Sequence, residues 1–262
     1  LLGYVLAVII GLVLGLIGGG GSILTVPVFV YFLHINPVVA TAYSLFVVGV
    51  SSMVGAIQNL RKGLVETKTA IIFSIPAFIA VYLTRKYIIP VIPETLFKAN
   101  GFIVTKEIGI MVFFAIIMLL ASISMISAKG EKKEGATVVI GYNYPLILIE
   151  GAVVGLLTGL VGAGGGFLII PALVVLAKLP MKKAVATSLL IIAIKSLIGF
   201  IGDVENLNID WQFLLSFTAF SVGGIFLGIK MNKRIDGSKL KKIFGWFVLV
   251  MGIYIIIKEL FL

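Results

Sequence analysis

Twice in 262 residues an apolar segment is interrupted by a run of glycines, GLIGGGG at 15–21 and GLVGAGGG at 159–166. Consecutive glycines inside a helix leave backbone N–H and C=O groups open to the surroundings. Hydrocarbon cannot satisfy those groups, so such a break must face protein or a watered cavity. The chain around the breaks is 60% hydrophobic and 12% charged, with a mean hydropathy of +1.21. A soluble core cannot bury that much apolar surface, which leaves a bilayer as the solvent. Stretches such as Gly109 to Ile126 and Phe213 to Ile229 approach the ~20 residues that cross ~30 Å of hydrocarbon.

The two breaks lie in register. A shift of 144 positions aligns GLVLGLIGGGGSILTVPVFV (Gly11 to Val30) with GLLTGLVGAGGGFLIIPALV (Gly155 to Val174) without a gap. It matches Gly15 with Gly159, Gly18 with Gly162, Gly20 with Gly164, Gly21 with Gly165 and Pro27 with Pro171. The register continues through Ala40/Ala184, Ala42/Ala186, Ser44/Ser188, Leu45/Leu189, Ser52/Ser196 and Gly55/Gly199. Chance similarity between apolar segments would not keep Gly, Pro and Ser in phase for so long, and we read an ancient duplication. The expected fold is all-α: a polytopic integral membrane protein of about eight transmembrane segments in two internal repeats, with Gly-rich broken or re-entrant half-helices. The repeats are placed at 1–128 and 145–262, with a polar, Gly-containing linker at 129–144.

Each half reads as a helix ending near Ile17 or Val161, the break, and a short helix (about Ser22 to Leu33, or Phe167 to Ala177). Three longer apolar helices follow, near Val38 to Leu60, Thr69 to Lys86 and Glu107 to Ser127 in the first half. In the second half they lie near Lys183 to Ile201, Trp211 to Ile229 and Leu240 to Ile257. At ~1.5 Å per residue neither arm of a break is a comfortable span. The two arms form either one broken crossing, with parallel repeats, or a re-entrant hairpin, with inverted repeats. Charge leaves this choice open. In the second half Lys178, Lys182 and Lys183 and the loop from Lys230 to Lys242 favour the cytoplasm, with Asp203, Glu205 and Asp210 outside. In the first half Arg61, Lys62 and Lys68 lie across one span from Arg85, Lys86, Lys98 and Lys106, so its orientation is undecided.

A glycine nest followed by a half-helix N-terminus offers unpaired N–H groups and the positive end of a helix dipole, both of which favour an anion. The candidate substrate-binding residues are therefore Gly18, Gly19, Gly20, Gly21 and Ser22 in one break and Gly162, Gly164, Gly165 and Gly166 in the other. The competing reading is close helix packing by small residues. On the next helix Ser44, Ser51, Gly55 and Asn59 share a face, and their register partners are Ser188, Lys195, Gly199 and Asp203. This face is either a permeation wall, with Thr41 and Thr187 near its entrance, or a packing surface whose hydroxyls bond their own helix.

Lys195 sits inside SLLIIAIKSLIGFI, where a charge is expensive and usually functional or paired. It serves either as counter-charge to an anion or snorkels and pairs with an acid such as Asp203, ~12 Å further along the axis. Glu150, within YPLILIEGAVVG, is a candidate carrier of a coupling proton or an interfacial residue. Gln58 and Asn59 either line the path or are solvated.

The net charge of +10 resides in short loops between apolar segments, a positive-inside pattern that leaves no soluble domain for nucleic acid. With no cysteine and one histidine, His34, the chain lacks the parts for thiolate, zinc or haem chemistry. No catalytic constellation lies in the apolar segments, so no enzyme, cofactor or metal is expected. The scarcity of acids there also argues against a cation carrier. The first apolar stretch leads straight into a structured motif, unlike a removable signal peptide.

The two openings with their downstream prolines, GLIGGGGSILTVP and GLVGAGGGFLIIP, each followed by ATAYSL or AVATSL, resemble the sulfite exporter TauE/SafE family over essentially the whole chain. The resemblance implies a multi-pass cell-membrane carrier moving small anions, sulfite or sulfonates among them, by secondary transport; protons are a candidate coupling partner through Glu150, and the coupling ion is left open. It does not fix the substrate. The pairs Ser51/Lys195 and Ser22/Gly166 depart from internal symmetry, so the halves contribute unequally to a site. Rival readings are a channel or sensor, a carrier of another small anion such as a carboxylate, and a structural subunit of a larger complex.

Overall fold

The structure, a computed structural model, describes residues 2–99, 102–127, 144–162, 165–175, 179–232 and 237–261. The expected linker at 129–144 lies outside the described residues apart from Tyr144.

Each half opens with a hairpin of two short arms. In the first, α1 (Leu2–Ile17) runs into a 3-10 turn at Gly18–Leu24, and α2 (Gly21–Phe32), whose start belongs to that turn, leads away and finishes in a π turn at Val28–Phe32. A Cβ on Gly21 would strike the backbone of Val13 and Leu14, and Gly3 at the start of α1 lies against Leu33 just past the end of α2. The arms thus fold back on each other, which settles the choice left open by the sequence: the break turns a re-entrant hairpin. In the second half α6 (Tyr144–Val161) and α7 (Gly166–Val175) are joined in the same way, with Gly165 packed on Thr158. Gly18 and Gly162 both adopt φ +72°, the left-handed conformation that a side chain disfavours.

Long helices complete each half: α3 (Pro37–Arg61), α4 (Thr67–Val91) and α5 (Lys106–Ser127), then α8 (Met181–Val204), α9 (Trp211–Asn232) and α10 (Gly237–Phe261). By length and composition α3, α4, α8 and α9 can each cross a membrane. Asn36 caps α3, its Oδ1 accepting from Val38 N at 2.9 Å with Pro37 opening the first turn, both common start signals. Between α4 and α5 lies a short antiparallel ribbon, β1 (Thr95–Ala99) with β2 (Phe102–Thr105). The helical reading of the chain did not include it, although Asn100-Gly101 between two alternating runs is a hairpin signal.

The halves interlock. α1 runs parallel to α9: the Tyr4 and Phe220 rings lie 4.7 Å apart, Gly11 meets Ser221 and Ile225, and Gly15 meets Ile225 and Gly228. α6 runs along α4 in the same sense, with Gly151 on Phe73, Gly155 on Ala77 and Gly159 on Thr84. Glycines four residues apart let these backbones touch, as small residues do between membrane helices. The packing reading therefore holds for Gly11, Gly15, Gly151, Gly155 and Gly159, which sit within helices rather than in the breaks. α3 and α8 cross antiparallel, shown by Phe46 against Phe200 (4.9 Å), Gly49 against Leu197, Gly55 against Leu189 and Gly199 against Leu45.

Contacts recur under the sequence register. Moving each partner by 144 positions converts Gly11–Ser221 into Gly155–Ala77, and Gly55–Leu189 into Gly199–Leu45. α3 and its register partner α8 thus run in opposite directions.

Large apolar side chains face outward, including Ile71, Ile75, Ile79 and Leu83 at every fourth position of α4 and Val250, Ile253 and Ile257 on α10. Water would not tolerate so continuous an apolar exterior. Lipid does, and the chain is a multi-pass membrane protein.

Candidate functional site

The two hairpin turns meet. A Cβ on Gly19 would land on Gly166 Cα and on the Ile192 side chain, and a Cβ on Gly166 would land on the Gly19 backbone. Only two glycines permit this approach, which places the start of α7 against the turn that starts α2. Gly18 rests on Val185 of α8, while its register partner Gly162 rests on Thr41 of α3. Ser22 is buried and donates its hydroxyl to Gly19 O at 2.7 Å, closing the first turn. Gly20 belongs to the same 3-10 turn, and Gly164 lies outside the described residues.

Cations gather at the second turn. Lys195 is fully buried on α8, and its Nζ lies at the Gly165 turn, donating to Thr158 Oγ1 at 2.7 Å. Among the described residues it has no carboxylate partner, so it neither snorkels nor pairs with Asp203. A buried ammonium costs several kcal/mol unless compensated, and one neutral hydroxyl compensates little.

Asp203 pairs instead with Arg85, which the sequence reading had left among loop charges. Arg85 sits in a π turn of α4 at Thr84–Ile88, a distortion that often marks functional sites. It is 0% exposed; its Nη1 donates to Thr41 Oγ1 at 2.9 Å and lies 3.3 Å from Asp203 Oδ2. The same guanidinium fills the space beside Gly162 that a Cβ would take. The signal available for it was the apolar run YIIPVI immediately after Arg85-Lys86, which extends α4 past the charge and buries it.

The polar set is one-sided. Arg85, Asp203, Lys195, Thr158 and Thr41 surround the second turn, and their register partners at the first are Ile229, Asn59, Ser51, Leu14 and Val185. The serine face divides between its two readings. Ser44 is buried with no hydrogen-bond partner among the described residues, as are Ser52 and its register partner Ser196. Ser188 donates to Val185 O of its own helix at 2.8 Å, and Ser51 turns to Ser221 of α9 at 2.9 Å. Asn59 donates to Gly55 O. Glu150 is half-buried on α6, ~12 Å up the helix from Thr158, so the fold does not bring it to the turns.

A cavity of about 380 Å³ reaches this region from one end of the bundle, lined by Arg85 and Asp203 together with Asn36, Glu94, Lys106 and Glu107. That end also holds the Lys86–Glu205 pair at 3.1 Å and the bond from Asp210 N to Tyr43 Oη. The opposite end carries Arg61, Lys62, Lys68 and Lys182, with Lys183 paired to Glu66 at 3.7 Å. Among the described residues no group of His, Cys, Asp and Glu is arranged to hold a metal ion.

The model of the sulfite exporter TauE/SafE family matches residues 4–255 of this chain. A "Probable membrane transporter protein" of Xylella fastidiosa is 27% identical over 256 residues, covering 95% of this chain and 91% of its own. The "Probable membrane transporter protein YunE" of Bacillus subtilis is 27% identical over 288 residues, covering 98% and 99%. A further relative from Methanocaldococcus jannaschii, also a probable membrane transporter protein, is 37% identical over 116 residues, covering 42% and 43%. No solved structure gives a significant match.

Proposed function

The chain belongs to the sulfite exporter TauE/SafE family, and from that premise we propose that it is a secondary carrier of small anions, sulfite, sulfonates or related oxyanions foremost, working by alternating access between two inverted repeats. That it is a membrane transporter rests on the family and on relatives that span nearly its whole length. The substrate class rests on one observation: two glycine turns abut at Gly19 and Gly166, with the buried Lys195 ammonium set against the second of them at Gly165. Half-helix N-termini facing an intramembrane site are how broken-helix carriers hold anionic groups.

In this reading residues 1–128 and 145–262 are the moving units. Gly18, Gly19, Gly21 and Ser22 and Gly162, Gly165 and Gly166 form the cradle, Lys195 supplies the charge, and Ser44 and Ser188 line the approach. Ser51 and Glu150 lie off the site. The basic end at Arg61, Lys68 and Lys182 faces the cytoplasm by the positive-inside rule. The cavity at Arg85 then opens outward, and the first half's orientation follows from its hairpin.

Purified protein in liposomes should show saturable flux of sulfite or a sulfonate, with accumulation when a proton gradient is imposed. Absence of flux for sulfite, sulfonates and sulfate alike sinks the anion assignment. A current that never saturates would favour a channel.

A further inference from the structure

The Arg85–Asp203 pair does not look like a finished structural ion pair. Charge-assisted N–H···O bonds close to ~2.7–2.9 Å, and Arg with carboxylate commonly makes two in parallel. Here one nitrogen, Nη1, reaches one oxygen at 3.3 Å, without hydrogen-bond alignment, and the same nitrogen is committed to Thr41. Nε and Nη2 have no partner among the described residues, although Arg85 is 0% and Asp203 2% exposed. A guanidinium presents its donors as a planar fork matched to two oxygens of one anion. Half of this fork has no hydrogen-bond partner among the described residues, and both residues line a cavity of about 380 Å³.

Resting on the carrier reading above, we infer that Arg85 is an outer binding site for a small oxyanion, its charge shared in this structure with the chain's own Asp203 carboxylate at Nη1, and that anion and proton bind there together. The substrate's paired oxygens fill the Nε and Nη2 edge beside Gly162. Asp203, its share of the Arg85 charge drawn off by the substrate, takes a proton at Oδ2 from solvent hydronium, which is left as water. One O–H bond forms on Asp203 as one in hydronium breaks, the substrate itself is unchanged, and one positive and one negative charge enter together. The buried charge at the site is thus the same before and after loading, which avoids the cost of burying an unpaired ion. Asp203 also closes α8, where the negative end of the helix dipole opposes a second negative charge nearby.

Other titratable groups around Asp203 are accounted for. Across the cavity lie Glu94, Lys106 and Glu107, while Lys86 is held by Glu205. Lys195 stands eight residues earlier on the same helix, committed to Thr158 and the Gly165 turn. It is the inner step to which an anion released from Arg85 passes. The unpartnered fork selects oxyanions with two coplanar oxygens, and the site takes them more tightly as pH falls, because a protonated Asp203 no longer draws on the Arg85 charge.

Methanesulfonate and sulfate are suitable probes, since neither titrates between about pH 5 and 8, the range in which histidine-like and perturbed groups do. Purified wild-type protein in weak buffer should take up about one proton for each anion bound, and its affinity should rise tenfold for each pH unit over which Asp203 is ionised when free. Asp203→Asn should bind without proton uptake, with a flat pH profile at the tight, low-pH affinity. The doubly substituted Arg85→Gln/Asp203→Asn chain keeps the site neutral, so it is not left with an unpaired buried charge, and it should lose this binding. Proton uptake that persists in Asp203→Asn, or wild-type affinity in the neutral double variant, overturns the inference while leaving the carrier reading intact. Wild-type protein that binds neither probe, together with no flux of any sulfur oxyanion, defeats both.

Discussion

Gly166→Ala is expected to abolish transport. Its new methyl would land on Gly19 backbone atoms, and backbone cannot rotate aside as a side chain can. Overpacking a tight contact costs about 1–3 kcal/mol and is relieved only by shifting the elements that touch. Here those elements are the two hairpin turns, so relief pulls apart the groups proposed to hold the anion. We expect flux to fall by at least ~10-fold, the factor that corresponds to 1.4 kcal/mol, with the protein still inserted and helical. Gly223→Ala is the matched control, a helical glycine with open space beside it, where alanine should be neutral or slightly stabilising. If both variants transport equally, the Gly19–Gly166 contact has no part in function.

Removing the inner charge should have an effect of similar size. Lys195→Met keeps the length and apolar stem of the side chain and removes the ammonium. Truncating one partner of a buried charge pair costs about 2–5 kcal/mol, which predicts a loss of anion affinity on the order of 30-fold or more. Lys195→Arg retains the charge and should keep a large part of the activity, reduced because a planar guanidinium fits the place of an ammonium beside Thr158 imperfectly. Stability should move the other way. A lone buried ammonium opposes folding, so Lys195→Met is expected to unfold at a higher temperature than wild type while transporting less. Transport in the Met variant equal to that in the Arg variant would reduce the lysine to a packing residue.

Much of this architecture was legible from glycine, proline and serine at fixed offsets, because those residues answer to backbone geometry, which duplication preserves. Gly18 and Gly162 share both a register and a φ of +72°. The hairpin was not legible. An apolar arm of α1's length reads the same whether the chain beyond the break continues or returns, and contacts across the turn, Gly21 against Leu14 and Gly3 against Leu33, decide it. Charge failed as a guide to the first half because Arg85 was counted as a loop residue, although the apolar run YIIPVI after it carries the helix past the charge. Its partner Asp203 is 203 − 85 = 118 positions away, beyond any spacing rule. Lys195 was found because a charge within an apolar run is conspicuous. Ser51 was included because face periodicity cannot tell a helix neighbour from a cavity, and its hydroxyl is spent on Ser221.

The most direct test of the central claim is a structure with selenite, an anomalously scattering analogue of sulfite, bound to the protein. A selenium peak is expected between the Gly19–Gly166 contact and Lys195 Nζ, or at the Nε and Nη2 edge of Arg85, the two steps of one path. A peak confined to the lipid-facing surface or to the basic loops, with both turns empty at saturating selenite, would contradict it.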